Sequence, residues 1–290
     1  MLIDIILWSI AFIALIAGTY TDIKTREVPD WISYGLIFAG IGIRLIYSVI
    51  MFDATYLGYG VIGLITFVIL GYIMFYAGQW GGGDSKLLMG LGAVLGMPLS
   101  LQPFPLLLIF LINVLFIGAV YGLAYSIVLT IIHRDKFMQN FKKIIYNEKI
   151  MKLRKLSLIL IIIIVLLIIA LVKDAIIIWS LILLVSIAYL SFYLVIFIKA
   201  VEKSAMFKLV KPEELTEGDW IAKDYFTDGK KICSPKDLGI SKKQINQLIA
   251  LKRKRKITKI KIKQGIPFVP SFLAAFIVSL IFGAWFMILL

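Results

Sequence analysis

Long runs of apolar residues constrain this chain more than any other feature. A helix needs roughly 20 apolar residues to cross the hydrocarbon layer, and the sequence has seven such runs and a shorter eighth one. With 61% hydrophobic residues, the composition excludes a soluble domain of this length. We predict an all-α polytopic membrane protein with about eight transmembrane segments, at 3–20, 32–51, 57–77, 84–98, 104–132, 157–173, 176–200 and 267–290.

The positions of the cations predict how these segments are oriented. Lys and Arg collect in the cytoplasmic loops of membrane proteins. With the amino terminus outside, the cytoplasmic loops hold 29 of the 31 cations, and only Arg44 and Lys173 lie elsewhere. Unless the short segment 84–98 crosses, the two largest basic loops face the side opposite to the earlier ones. The pattern therefore favours eight crossings, with both termini extracytoplasmic.

The first large basic loop, 133–156, has an amphipathic pattern. Its residues Phe137, Phe141, Ile144 and Ile145 recur at helical spacing between lysines. This pattern is typical of a helix that lies on the inner leaflet of the membrane.

The second large basic loop, 201–265, is long enough for a small cytoplasmic α/β insertion. A helix is predicted from Ser241 and a short strand within 257–263, with Trp220, Ile221, Tyr225 and Phe226 available for a core. Its run of five cations at 252–256 favours anionic lipid headgroups as partners rather than nucleic acid. The predicted domains are a membrane core at 1–132, the basic loop 133–156, spans at 157–200, the insertion 201–265 and a last span at 266–290.

One polar stretch interrupts the apolar sequence at the start of the short segment. Residues 79–86 read Gln-Trp-Gly-Gly-Gly-Asp-Ser-Lys. Asp84 stands where the N-cap of the following helix is predicted. An acidic residue at the end of a membrane helix is a candidate functional residue.

A second acidic residue is predicted at the same depth. Asp22 follows the first span by two residues, and the charge pattern places it at the cytoplasmic boundary together with Asp84. Asp4, Asp53 and Asp174 fall on the outer side and cannot reach this site.

Two facing aspartates suit peptide hydrolysis. Neighbouring carboxyl groups share one proton, so one takes a proton from water while the other donates one to the scissile carbonyl. The pair titrates as a unit, so neither role is assigned to one residue. Gly81, Gly82 and Gly83 are predicted to bind substrate, since they allow an extended peptide backbone to approach without a side-chain clash.

Other protease chemistries fit the sequence poorly. It contains no His-Glu-x-x-His motif for zinc and no Gly-x-Ser-x-Gly elbow for a serine nucleophile. Ser85 and Lys86 are adjacent in a helix and point about 100° apart, which disfavours a Ser-Lys dyad. A single cysteine, Cys233, excludes an internal disulfide and a cysteine-based zinc site.

The two aspartates and their flanking residues resemble the catalytic segments of type IV prepilin peptidases. Gly81–Asp84 is a Gly-x-Gly-Asp motif, and the following Lys86–Ala93 is similar to the second segment of that family. Asp22 with Arg26, Pro29 and Asp30 resembles the first segment. The tail Gly265–Pro270 resembles the start of the last span in archaeal members, which include the preflagellin (archaellin) peptidases.

The resemblance implies an aspartic endopeptidase with Asp22 and Asp84 as the catalytic pair. It implies removal of short, basic class III signal peptides from pilin-like or archaellin-like precursors at the cytoplasmic face, with no metal or organic cofactor. Expected partners are these precursors and membrane lipids, with no nucleic acid. Glu27 and Asp30, near Asp22, are predicted to attract the basic leader.

The sequence departs from the family pattern in two ways, and two other functions remain as alternatives. No methyltransferase activity is expected, because the Cys-x-x-Cys domain of many bacterial members is missing. The insertion 201–265 is the second departure, and it leaves open whether the substrate carries an archaellin or a pilin leader. Presenilin and signal-peptide peptidases also use Gly-x-Gly-Asp, but their Tyr-Asp pair and Pro-Ala-Leu motif are not matched here. A cation-coupled transporter using Asp22 and Asp84 is the non-enzyme alternative.

Overall fold

The fold is known from a computed structural model that describes residues 2–100, 104–227 and 230–289. The chain divides into two compact units, one formed by Met1–Ala124 with Val210–Leu290 and the other by Tyr125–Leu209. Helices dominate the described residues: α1 (Leu2–Thr25), α2 (Asp30–Met51), α3 (Thr55–Tyr76), α4 (Gly82–Leu95), α5 (Leu106–Ile132), α6 (Arg134–Ile145), α7 (Glu148–Leu171), α8 (Ala175–Val201), α9 (Lys242–Arg253) and α10 (Val269–Phe282).

Six helices within the described ranges are long and apolar enough to cross a membrane. Their surfaces are largely apolar and exposed, which is the expected state of side chains that face lipid. The predicted polytopic all-α membrane architecture is therefore confirmed. These six helices are α1, α2, α3, α5, α7 and α8.

Two further apolar segments form helices that are too short to span the hydrocarbon layer alone. The predicted short segment is α4, with 14 residues, or about 21 Å of rise. The predicted last span, 267–290, is also shorter than expected, since α10 has only 14 residues. It ends at Gly283, whose φ of 55° is a left-handed conformation that stops the helix, and a 3₁₀ turn follows at Trp285–Leu289.

The core of the first unit is built by one face of each membrane helix. On α1 the buried residues are three or four apart, so they form one stripe along the helix: Ile3, Leu7, Ala11, Leu15, Gly18 and Asp22. Large aromatic side chains fill the space between α5 and α10, where Phe110 lies 6.3 Å from Phe272 and from Phe276 between ring centroids. The stripe on α1 thus ends, near the carboxyl end of the helix, on a carboxylate.

The short helix α4 is the most buried helix of this unit. Nine of its residues are buried, from Ser85 to Leu95. It packs closely on α2 because Gly40 has no side chain; a Cβ there would lie 2.9 Å from the backbone carbonyl carbon of Ala93. Gly63 of α3 and Gly92 of α4 make a similar backbone contact. Close packing of this kind replaces hydrophobic burial as the source of helix association in lipid.

The described part of the insertion contains two antiparallel strand pairs and an α-helix. Strand β1 is Phe207–Val210, β2 (Trp220–Ile221) pairs with β5 (Ile260–Lys263), and β3 (Tyr225–Thr227) pairs with β4 (Lys230–Cys233). The predicted helix is α9, whose N-cap Ser241 accepts a hydrogen bond from the Gln244 amide. Ile221 is in the core as predicted, whereas Phe226 is 58% exposed.

The second unit contains α6, α7 and α8. The amphipathic helix predicted in loop 133–156 is α6, but its apolar side chains pack against α8 instead of remaining free for the leaflet. Phe137 and Ile144 are buried with Ile196, Ala200 and Val201, and Phe137 lies 5.5 Å from Phe197 between ring centroids. The end of loop 133–156 is also helical, since α7 already begins at Glu148.

The single thiol is expected to be unreactive. Cys233 is 1% exposed, and burial raises the pKa of its thiol to about 11. At pH 8 its thiolate fraction should be roughly 100-fold below that of an unfolded cysteine. Iodoacetamide alkylation, followed by mass spectrometry in mild detergent and after SDS denaturation, tests this. Equal rates in the two states would contradict it.

Candidate active site

Asp22 lies inside α1 rather than in the loop after it. The sequence predicted that the first span ends near residue 20, but α1 continues to Thr25 and places Asp22 at the end of its buried stripe. The carboxylate is 5% exposed, and its Oδ2 accepts a hydrogen bond of 2.9 Å from the Val269 amide. Val269 begins α10, and the free N–H groups of a helix N-terminus are suited to bind a carboxylate.

Three helices meet one turn before Asp22. A Cβ on Gly18 would lie 3.4 Å from Val269 Cγ1 and 3.5 Å from Leu87 Cδ2. Gly18 belongs to α1, Val269 to α10 and Leu87 to α4. The junction brings the start of α4, and with it Asp84, next to the end of α1.

Asp84 occupies the first turn of α4. The sequence predicted it as the N-cap, but the N-cap is Gly81 and Asp84 is the third helical residue. Its Oδ2 accepts a hydrogen bond of 3.1 Å from the Gly81 amide, which satisfies one free N–H at the helix start. Asp84 is half-buried, and the charge of Asp22 acts on its carboxyl group. The structure thus brings the two predicted aspartates together.

The three glycines before Asp84 have different surroundings. A Cβ on Gly83 would lie 3.2 Å from the Val28 amide nitrogen and 3.3 Å from Val28 Cβ. The loop between α1 and α2 therefore packs directly on Gly83. Gly81 supplies the amide bound by Asp84. A Cβ on Gly82 would meet only Phe75 Cε2 at 3.7 Å, which is ordinary contact.

Trp80 ties the glycine segment to α10. Its ring lies 5.8 Å from Phe268 and 5.4 Å from Phe272 between centroids, and it is 5% exposed. Both aspartate-bearing segments therefore contact the start of α10, Asp22 through Val269 and the glycine segment through Trp80. Sequence reasoning did not assign this role to α10; the signal for it was the resemblance at Gly265–Pro270.

The two acids predicted to attract the leader differ in their contacts. Asp30 Oδ1 is 2.7 Å from Lys86 Nζ, so this charge is paired across α2 and α4. Glu27 is exposed. Its charge acts on Asp219 of the insertion, whose pKa is raised, first by burial and also by Glu27. Sequence reasoning missed Asp219, because nothing local indicates that it approaches the α1–α2 loop.

A metal centre is not indicated by the described side chains. Within the ranges that the structure covers, no group of three or more His, Cys, Asp or Glu side chains is placed to hold an ion. The groups that the structure places at the junction are two carboxyl groups and the backbone amides that bind them.

Comparison with known proteins gives matches to one family. Residues 9–123 match the model of the type IV leader peptidase family. The preflagellin peptidase of Methanocaldococcus jannaschii is 40% identical over 81 residues, which are 28% of this chain and 34% of that relative. The preflagellin peptidase of Methanococcus maripaludis is 36% identical over 85 residues, which are 29% of this chain and 36% of the relative.

A third preflagellin peptidase, from Methanococcus voltae, is 33% identical over 119 residues, or 36% of this chain and 51% of the relative. The chain thus matches between about a third and a half of the length of these relatives. No solved structure matches the chain significantly. The family match includes both Asp22 and Asp84, so the resemblance to type IV prepilin and preflagellin peptidases is confirmed for this part of the chain.

The packing at Gly83 predicts unequal effects of two neighbouring substitutions. Gly83→Ala places a methyl group against the Val28 backbone and should destabilise the protein by about 1–3 kcal/mol. Gly82→Ala is the matched control, because it has room and gains helix propensity. Thermal unfolding in detergent, followed by tryptophan emission, measures both. A Gly83→Ala midpoint equal to that of Gly82→Ala would contradict the packing.

Proposed function

We propose that this multi-pass membrane protein, which matches the type IV leader peptidase family over residues 9–123, is an aspartic endopeptidase of precursor proteins. Its substrates are archaellin-like or pilin-like precursors with short, basic class III signal peptides. Cleavage occurs at the cytoplasmic face of the membrane, and both chain termini lie on the other side.

The observation that carries the proposal is the meeting of Asp22 and Asp84 at one junction of α1, α4 and α10. The carboxylates come from helices far apart in sequence, and the charge of one acts on the other. Each accepts a hydrogen bond from a backbone amide, of Val269 and of Gly81, which orients it. Both lie within the matched segment.

Such a pair can hydrolyse an amide. One carboxylate takes a proton from water, and the resulting hydroxide adds to the scissile carbonyl carbon while the other carboxyl group protonates the carbonyl oxygen. The tetrahedral intermediate then breaks its C–N bond. The leaving amine takes up the proton held by the first carboxyl group, while one hydroxyl group of the intermediate returns its proton to the second carboxylate, so a carboxylic acid product forms and the pair is restored. Because the two groups share protons, we assign the roles to the pair and not to single residues.

The substrate class follows from the charges around the junction and from the names of the relatives. The three relatives described above are preflagellin peptidases. Glu27 offers an exposed negative charge in the α1–α2 loop, which suits a basic leader. The 29 cations in the predicted cytoplasmic loops support a cytoplasmic position for this end of α1 and for the start of α4.

The two alternatives are not favoured. The family match is to leader peptidases, and Asp22 lies near the cytoplasmic end of α1 instead of deep in a span, unlike the presenilin arrangement. For a transporter, an acidic pair at the midplane between repeats is expected, whereas both acids lie at helix ends here.

The dyad is tested by removing one ionisable group at a time. Asp22→Asn and Asp84→Asn keep the shape of the side chain but cannot transfer the proton, so each should lower the cleavage rate by roughly 10²–10⁴-fold. The measurement is the shortening of an archaellin-like and of a pilin-like precursor by immunoblot in isolated membranes.

The matched control is Asp135→Asn, which changes an exposed acid of α6 far in sequence from the dyad. It should cleave at the unaltered rate, and all variants should accumulate equally in the membrane. Undiminished shortening of the precursor by both dyad variants would remove the aspartyl mechanism. Proton-linked ion uptake without any cleavage by the unaltered protein would favour the transporter.

The exposed acid is tested by charge reversal. Glu27→Lys should raise the KM for a basic leader roughly two- to fivefold, with little change in kcat, because exposed charges contribute weakly. The effect should shrink at about 0.5 M salt, where the charge is screened. Initial cleavage rates over a range of precursor concentrations give both constants.

Two controls distinguish a loss of leader recognition from a general loss of enzyme function. Glu148→Lys reverses an exposed acid at the start of α7 and should leave KM unchanged. A precursor whose leader lysines and arginines are replaced by glutamine should be insensitive to Glu27→Lys. If Glu27→Lys changes the KM for the basic and the neutral leader equally, Glu27 does not recognise the charge of the leader.

A further inference from the structure

Arg44 is a buried cation in the membrane core that the proposed reaction does not use. It lies on α2 and is 4% exposed. It is also one of the two cations that the charge pattern leaves outside the cytoplasmic loops. Charged side chains inside the membrane are costly and generally have a specific role.

The guanidinium binds the end of α4. Nε donates to the carbonyl oxygen of Ala93 at 3.1 Å, and Nη2 donates to those of Val94 at 2.8 Å and Leu95 at 3.1 Å. The remaining carbonyl of the last turn, that of Gly92, accepts a hydrogen bond of 3.0 Å from the Gly96 amide. All four carbonyls that a helix end leaves free are thus satisfied.

Arg44 also links this helix end to α3. Its Nη1 donates to the carbonyl oxygen of Tyr56 at 3.3 Å. One side chain of α2 therefore holds the last turn of α4 and the first turn of α3 together. Lysine offers only a compact ammonium group, whereas the planar fork of arginine reaches several carbonyls at once.

The depth of this helix end explains why it needs such a partner. α4 rises only about 21 Å, against about 30 Å of hydrocarbon. If α4 starts at the cytoplasmic boundary with Asp84, its last carbonyls lie within the apolar layer. No water is available there, and unsatisfied backbone groups are expensive.

The surroundings of Arg44 are shaped to fit it. A Cβ on Gly60 would lie 2.5 Å from Arg44 Cδ, and a Cβ on Gly96 would lie 2.6 Å from Nη2. The positive charge faces the negative end of the α4 dipole, and the charge of Asp4 on α1 also acts on it. Two glycines make room for the guanidinium of Arg44, while the end of α4 and the charge of Asp4 stabilise its positive charge.

We propose that Arg44 is a positioning residue for the dyad. By fixing the depth at which α4 ends, it holds the opposite end of this rigid 14-residue helix, and so Asp84, beside Asp22. The part of the proposal that concerns catalysis rests on the proposed function; the part that concerns the position of α4 does not.

The position of α4 is measured by a disulfide that does not depend on activity. A Cβ on Gly71 of α3 would lie 3.6 Å from Ser85 Cβ of α4, within the range that a disulfide spans. Ser85 is suitable because its buried hydroxyl has no hydrogen-bond partner among the described residues. The parent carries Gly71→Cys and Ser85→Cys in a Cys233→Ser background and is oxidised in membranes with copper phenanthroline.

Two substitutions at Arg44 are compared in this parent. Arg44→Gln removes the charge and the fork, and should slow disulfide formation at least about threefold, since the end of α4 is no longer held at one depth. Arg44→Lys keeps the charge and should retain an intermediate rate. If Arg44→Gln does not accumulate in the membrane, the rate of disulfide formation in Arg44→Lys is compared with that of the parent. A slower rate in Arg44→Lys then supports the proposal, and an equal rate overturns it.

The catalytic effect is measured without the added cysteines. Arg44→Gln should lower kcat about 10- to 100-fold, the range expected when a catalytic group is slightly misplaced, with KM within about twofold. Rates are normalised to the protein that elutes as a single species in detergent, so that loss of folded protein is not counted. Arg44→Lys should recover most of kcat.

Each result supports or overturns the proposal. Slower disulfide formation with a loss confined to kcat supports it. Unchanged disulfide formation in both Arg44 variants, no disulfide in the parent, or a change confined to KM overturns it. If the unaltered protein cleaves no precursor, the proposed function fails, while the disulfide rates still decide whether Arg44 positions α4.

Discussion

The structure depends on how the two ends of a short buried helix are satisfied in a layer without water. At the start of α4, Asp84 accepts from the Gly81 amide. At its end, Arg44 and the Gly96 amide supply donors for the last four carbonyls. Since a helix of 14 residues cannot reach both aqueous interfaces, its ends require partners from the protein itself.

The same requirement places the proposed catalytic group. A carboxylate at the third position of a helix binds a free amide, so Asp84 is held by the local structure of α4. Asp22 is held in an equivalent way by the start of another helix, through Val269. Backbone amides of two helix starts thus orient the two acids.

The insertion approaches the membrane core near the candidate site. Asp219 approaches Glu27 closely enough for their charges to interact, and a Cβ on Gly78 would lie 3.6 Å from Trp220 Cη2. Both contacts lie beside the loops that carry the candidate site. The insertion therefore adds an acid and an aromatic ring near the start of α4, next to the place where a basic leader is proposed to bind.

Much of this arrangement follows from the sequence alone. Apolar run lengths predict the helices, since a membrane helix must be about 20 residues long, and α2, α3, α5 and α8 begin and end within two residues of their predicted bounds. The Gly-x-Gly-Asp motif identifies Asp84, and the charge pattern identifies Asp22 because it predicts both acids at the same membrane boundary. The capping pattern at Ser241 predicts the start of α9.

Only the tertiary structure determines which groups from distant segments meet. Run length does not show that α1 continues past Asp22, that α10 stops at Gly283, or that the face of α6 packs on α8. Arg44 looks like an exception to the charge pattern until its contacts with Ala93, Val94 and Leu95 are seen. The physical reason is that local sequence sets the length and polarity of each helix, whereas the partner of each buried polar group is chosen by packing between helices.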